Sequence, residues 1–105
     1  MNKLIRTYLG FSIKSKSIVI GQDRLKVNKD KIYLIVYCST ASQNLKDLTL
    51  RLATKFKCKA IMLEDMEGYT NISGCKVLGL TNESLANAII KVAENKQETG
   101  EVNGK

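Results

Sequence analysis

The chain has no histidine, and that absence removes more chemistry than any other feature of its 105 residues. Without imidazole there is no Ser–His or Cys–His nucleophile pair and no histidine acid/base step. The usual zinc arrangements go with it. Cysteine is scarce: Cys38, Cys58 and Cys75 are odd in number and form no CxxC. They are expected to be three reduced, partly buried thiols of a cytosolic protein. No apolar run approaches the length of about 20 residues that spans a bilayer. Met1-Asn2-Lys3 enters a helical pattern without a signal-like apolar core, so a cytoplasmic protein away from membranes is expected. There is no Gly-Lys-Ser/Thr, and Ile20-Gly21-Gln22-Asp23 lacks the later glycines of a dinucleotide fingerprint. Glu64, Asp65 and Glu67 cluster beside Gly68 in a loop-like stretch, where carboxylates mostly keep a surface wet. These absences leave no enzyme class, cofactor, metal or small-molecule substrate to expect.

What the chain does have is a strong central strand. Ile32-Tyr33-Leu34-Ile35-Val36-Tyr37 is an unbroken β-branched and aromatic run. A half-buried strand would alternate polar with apolar, so this one predicts a strand covered on both faces. Small hydroxyl residues follow, and then Leu45, Leu48, Leu52 and Phe56 repeat at helical spacing. Ser42 or Ser39 can cap that helix, expected over Ser42 to Lys57, by accepting from its first-turn N–H groups. A buried strand feeding a capped helix is the core of an α/β sandwich.

Around that unit the periodicity predicts a first helix from residue 2 to about 14, with Leu4, Ile5, Tyr8, Leu9 and Phe11 or Ser12 on one side. Ser17–Ile20 is a short strand ended by Gly21, and residues 21–27 fit a short helix. Lys59–Leu63 and Cys75–Leu80 are further strands, separated by a loop with room for one helical turn. Thr81 or Asn82 caps a last helix that buries Leu85, Ile89 and Val92 and runs to about Ala93. Tyr33, Tyr37, Tyr69 and Phe56 take core-like positions, not those of a stacking platform for bases. Residues 1–93 thus form one domain with about four strands and helices on both faces of the sheet. Residues 94–105 have one apolar residue in twelve and are expected to be a mobile polar tail.

Charge is uneven. Eight lysines and arginines stand against Asp23 and Asp30 in residues 1–31, and five stand against Asp47 in residues 32–59. Residues 60–105 reverse the balance, with four cations against seven acids. A localised basic surface favours a polyanion, since each neutralised phosphate releases counterions. The turn at Gly21 adds a second indication, because it opens a helix whose first N–H groups are unpaired and attract phosphate. Lys14, Lys16, Gln22, Arg24 and Lys26 lie close to it in sequence. Arg24 can fork onto a phosphate or a guanine edge, while the lysines act as less directional charges.

Leu9-Gly10-Phe11-Ser12-Ile13-Lys14-Ser15-Lys16-Ser17-Ile18-Val19-Ile20-Gly21 is similar, without gaps, to the opening of the ribosomal L-seven-Ae/L-thirty-e family. Small bacterial members read close to LGLARRAGKLVSG there. The likeness continues through Ile32–Val36 and the capped helix, and resumes at Lys76-Val77-Leu78-Gly79-Leu80-Thr81-Asn82-Glu83-Ser84-Leu85-Ala86. It covers roughly residues 4–93 and rests on order and spacing. The resemblance implies a three-layer α-β-α sandwich with a mixed sheet that binds structured RNA, commonly kink-turns, or sits on the ribosome. It also implies that residues after Gly21 read sheared G·A pairs, by the pattern Gly-x-(Asn/Lys)-(Glu/Gln)-x-x-Lys. In this chain Asp23 replaces Asn/Lys, Arg24 replaces Glu/Gln, and Val27 stands at the final Lys position, with Lys26 one residue early. Leu80, Thr81 and Asn82 are matched to the family segment that packs on a flipped-out nucleotide. The expected function is non-catalytic binding of kink-turn-like or ribosomal RNA. The alternative is a protein-interaction module that keeps the fold and has lost the RNA site, motivated by Asp23 and the acidic Glu64–Glu67 loop.

Overall fold

A computed structural model describes the backbone of residues 2–103 and the side chains of residues 2–94. In chain order the elements are α1 (Lys3–Lys14), β1 (Ile18–Ile20), α2 (Gln22–Val27), β2 (Leu34–Cys38), α3 (Gln43–Phe56), β3 (Lys59–Leu63), α4 (Met66–Thr70), β4 (Val77–Leu80) and α5 (Glu83–Asn103). The polar tail expected from residue 94 falls, past Glu94, on residues whose side chains lie outside this description.

The sheet order is β1-β4-β2-β3. β4 runs antiparallel to both β1 and β2, and β2 runs parallel to β3, so the sheet is mixed. The two central strands are the most buried, and period-two alternation divides their side chains between two cores. Leu34, Val36, Cys38, Leu78 and Leu80 meet Ile5 and Leu9 of α1, Met66 and Tyr69 of α4, and Ala86 and Ile89 of α5. Ile35 and Val77 face the other way, onto Leu25 of α2 and Leu52 and Ala53 of α3. The fold is therefore an α/β three-layer sandwich. Each fully buried leucine or isoleucine contributes about 1.5–3 kcal/mol to holding the layers together.

Local chemistry starts and stops the helices much as composition suggests. The Asn2 side chain accepts from the N–H groups of Leu4 and Ile5 at the head of α1. The Ser42 hydroxyl accepts from Leu45 N–H at 3.2 Å and begins α3. The Asn82 side chain accepts from Leu85 N–H at 3.0 Å and begins α5. Several expectations shift. The backbone of the last helix, expected to end at about Ala93, continues to Asn103, and the fourth strand starts at Val77, two residues after Cys75. The central strand starts at Leu34, two residues late, although Ile32 is still fully buried in front of it. On α1 the apolar face is Ile5, Leu9 and Ser12, while Leu4 and Phe11 point outward. Ser12 tolerates burial because its hydroxyl donates to the Tyr8 carbonyl at 2.9 Å, the usual way a helical serine satisfies itself.

Gly79 lies in the centre of β4 beneath α2. A Cβ there would sit 2.7 Å from Leu25 Cδ2 and 3.1 and 3.3 Å from two Ile32 methyl carbons. The missing side chain is what lets Leu25, the one buried residue of α2, reach the sheet. No helix among the described residues is long and apolar enough to cross a membrane.

A candidate nucleic-acid interface

Strand polarity decides which loops meet. β1, β2 and β3 begin at the end of the sheet where β4 finishes: Ile18 pairs with Leu80, Leu34 with Leu80, and Leu34 with Lys59. At the opposite end β1 finishes where β4 starts, and Gly21 N–H donates to the Val77 carbonyl at 3.0 Å.

That second end holds an open cleft of about 420 Å³ between two loops. One wall is the turn from β1 into α2, with Gly21, Gln22, Asp23 and Arg24. The other is the segment from Ile72 to Lys76 that leads into β4, and Leu45 of α3 closes the floor. Backbone conformation shapes both walls. Gly21 has φ +95° and ψ 150°, a region essentially restricted to glycine, even though a Cβ there would meet nothing within 4 Å. Its requirement is torsional and not one of space. Gly74, with φ +75°, plays the same part opposite, and its N–H donates to the Glu67 carboxylate. No side chain caps α2, so its first N–H groups remain open toward solvent. With six residues the helix adds little field of its own.

Gln22, Asp23 and Arg24 are all exposed. The other cation at the cleft, Lys76, is held at its edge, where its ammonium donates to Thr40 Oγ1 at 2.7 Å. Thr40 also touches Cys38, with Sγ and Oγ1 3.1 Å apart. Burial pushes the Cys38 thiol up, but hydrogen bonds to Thr40 and the Met66 backbone, together with the Lys76 charge, outweigh it and leave the thiol below its ordinary value. Burial pushes Cys75 up, aided by neighbouring Cys38 and Glu67 and opposed by Thr70, and burial alone raises Cys58. All three cysteines are free thiols. Among the described residues no group of histidine, cysteine or acidic side chains is placed to hold a metal.

The residues proposed from sequence do not all come together. Gly21, Gln22, Asp23 and Arg24 share the cleft. Lys14 and Lys16 lie before β1, at the opposite end of that strand from Gly21. Lys26 lies toward the far end of α2, where its carbonyl accepts from the Lys55 ammonium at 3.2 Å. Leu80, Thr81 and Asn82 also belong to the far end, since Thr81 N–H donates to the Ser17 carbonyl at 3.0 Å. Leu80 is fully buried in the core and cannot meet a nucleotide, and the Asn82 side chain is spent on capping α5. The segment that does oppose Gly21 is Ile72–Lys76, which sequence reasoning passed over. Its signal was Gly74 in a stretch of weak periodicity, while Lys76 fell inside the strand expected over Cys75–Leu80.

No protein-family model matches the chain, and no curated protein matches it. Among solved structures it is similar to a protein of unknown function from Bacillus halodurans C, with a TM-score of 0.76 and 13% identity. That superposition covers 86% of this chain and 96% of the other, and at such identity it speaks for the fold alone.

Proposed function

We propose that the protein is a non-catalytic, cytoplasmic binder of structured RNA, of the kink-turn type, and that the cleft at Gly21–Arg24 is where it reads the RNA. The observation that carries this reading is the cleft itself. A glycine-only turn presents uncapped amides, Gln22 and the forked donors of Arg24 beside Lys76. Amide and guanidinium donors suit phosphates and guanine edges, and the concave shape suits a bent or splayed backbone better than a smooth duplex. The likeness of residues 4–93 to the ribosomal L-seven-Ae/L-thirty-e family points the same way, and the basic composition supplies the attraction.

A second reading has its own observation. Glu64, Asp65 and Glu67 follow β3 at the same end of the sheet as the cleft, and Glu67 is bonded to Gly74 in its wall. With Asp23 they suit a basic protein partner. Gel shifts at low salt with a kink-turn RNA and a plain hairpin of equal length separate the two. RNA reading predicts tighter binding of the kink-turn, by about tenfold, the equivalent of one good bidentate contact of about 1–3 kcal/mol. Binding of neither RNA leaves the protein-partner reading.

A further inference from the structure

We propose that the lysine-rich end of the sheet, opposite the cleft, is a second docking surface for the phosphodiester backbone of the same RNA. This inference rests on the RNA reading above. Strand polarity gathers the surface from three distant parts of the chain. Lys14 and Lys16 come from the turn before β1, Lys29 and Lys31 from the segment before β2, and Lys55 and Lys57 from the end of α3. All six are exposed. The described acids nearby are Asp30, between two of these lysines, Glu83 at the start of α5, and Glu94, which is paired with Lys59 at the start of β3.

Three observations argue that these lysines do more than keep the surface wet. First, the ion pair found among the described residues is Lys59–Glu94, at 2.7 Å, so among the described residues none of the six is in an ion pair with a carboxylate. Gathering unpaired like charges is unfavourable until a polyanion supplies the opposite sign. Second, four of the six surround a concavity. Lys29, Lys31, Lys55 and Lys57 line an open cleft of about 560 Å³, together with Phe56, Asn28 and a single acid, Asp30. The ammonium groups of Lys31 and Lys55 sit over aromatic rings, 5.1 Å from the Tyr33 centroid and 5.3 Å from that of Phe56. Those contacts limit the side chains' freedom and so lower the entropy lost on binding. Third, Lys16 and Lys57 are in the left-handed region, with φ +58° and +55°. Lys57 closes α3 at a position where glycine is the usual and less strained choice.

Lysines are point charges without a fork, suited to backbone phosphates and not to base edges. The exposed side of α2 joins this surface to the cleft, because Arg24 opens onto one and the Lys26 carbonyl holds Lys55 at the other. The separation is about 17 Å, the length of a five-residue strand. One RNA lying along α2 can reach both ends, with specificity at the cleft and charge neutralisation at the lysines.

The test is a triple variant, Lys29→Gln, Lys55→Gln and Lys57→Gly, titrated by fluorescence anisotropy against a kink-turn RNA and a plain hairpin over a salt series. Both RNAs should be bound more weakly by the same factor, and the slope of log K against log salt should fall in magnitude by about 3, one for each phosphate contact removed. Lys57→Gly alone should raise the thermal midpoint by about 4 °C while still weakening RNA, which separates lost charge from lost fold. An unchanged salt slope in the triple variant overturns the inference. If Arg24→Ala then still abolishes the kink-turn preference, the cleft reading stands without it. Conversely, a slope that falls in the triple variant although the wild type never preferred the kink-turn keeps the lysine surface and removes the cleft reading. Wild-type binding to neither RNA, including the case where it binds phosphatidylglycerol vesicles instead, overturns both.

Discussion

Gly79→Val is expected to cost the protein about 3 kcal/mol or more, measured by urea unfolding, and to leave much of it unfolded if its stability lies near the low end for small domains. The reason is the 2.7 Å gap between a Cβ at this position and Leu25 Cδ2. Alanine alone forces Leu25 or Ile32 to move, and valine adds two methyl groups where the core has no room. Leu25 has no free direction either, since it is fully buried between α2 and the sheet. Because it is the one buried residue of α2, moving it lifts the helix and the Arg24 turn with it. Gly79→Ala should therefore weaken RNA binding as well as stability, even though the residue lies in the core. Pairing Gly79→Val with Leu25→Ala should recover part of the loss, because truncating the leucine removes the atom that clashes. Strictly additive costs would show that the two do not compete for the same space.

Arg24→Ala is expected to weaken kink-turn RNA by about 5- to 100-fold, the range of one lost bidentate contact. Its effect on a plain hairpin should be small, since one phosphate contact changes the salt slope by only about 1. The guanidinium is exposed, and among the described residues it is in no ion pair, so its removal leaves no buried charge and should not disturb the fold. Lys91→Ala is the matching control, because Lys91 is exposed on α5 in the opposite layer. Equal losses from both changes would mean that the RNA responds to total charge and not to the cleft.

Much of the fold was legible because it is local. The unbroken run at Ile32–Tyr37 signalled a strand covered on both faces, and β2 carries residues of both cores, Val36 on one side and Ile35 on the other. Caps were recognisable to within a choice of two, Ser42 or Ser39 and Thr81 or Asn82, because capping needs only a side-chain oxygen and the next few N–H groups, and the structure selects Ser42 and Asn82. The stretch before β4 was expected to be a loop with room for one helical turn, and α4 occupies that room. Leu4 and Phe11 misled because an apolar residue on a helix need not face the core, and periodicity in a short helix leaves a choice of face.

The candidate site was half legible for a different reason. Gly21 marked the turn that ends a strand and opens a helix, and the structure adds a backbone there that is essentially restricted to glycine. Which loop lies opposite depends on strand order, and order is a property of pairing between residues some sixty positions apart. β4 antiparallel to β1 sets Val77 against Gly21 and carries Leu80 to the other end. No feature of Leu80-Thr81-Asn82 could reveal that. Charge followed the same rule: the sequence showed a basic first half, whereas the sheet sorts those lysines by end.

The most direct measurement is a two-dimensional amide spectrum of the labelled protein during titration with kink-turn RNA. A groove formed by two loops at one end of the sheet predicts that the largest shifts fall on residues 21–24 and 72–76. Shifts concentrated at 80–82, or none at all as RNA is added, would contradict it.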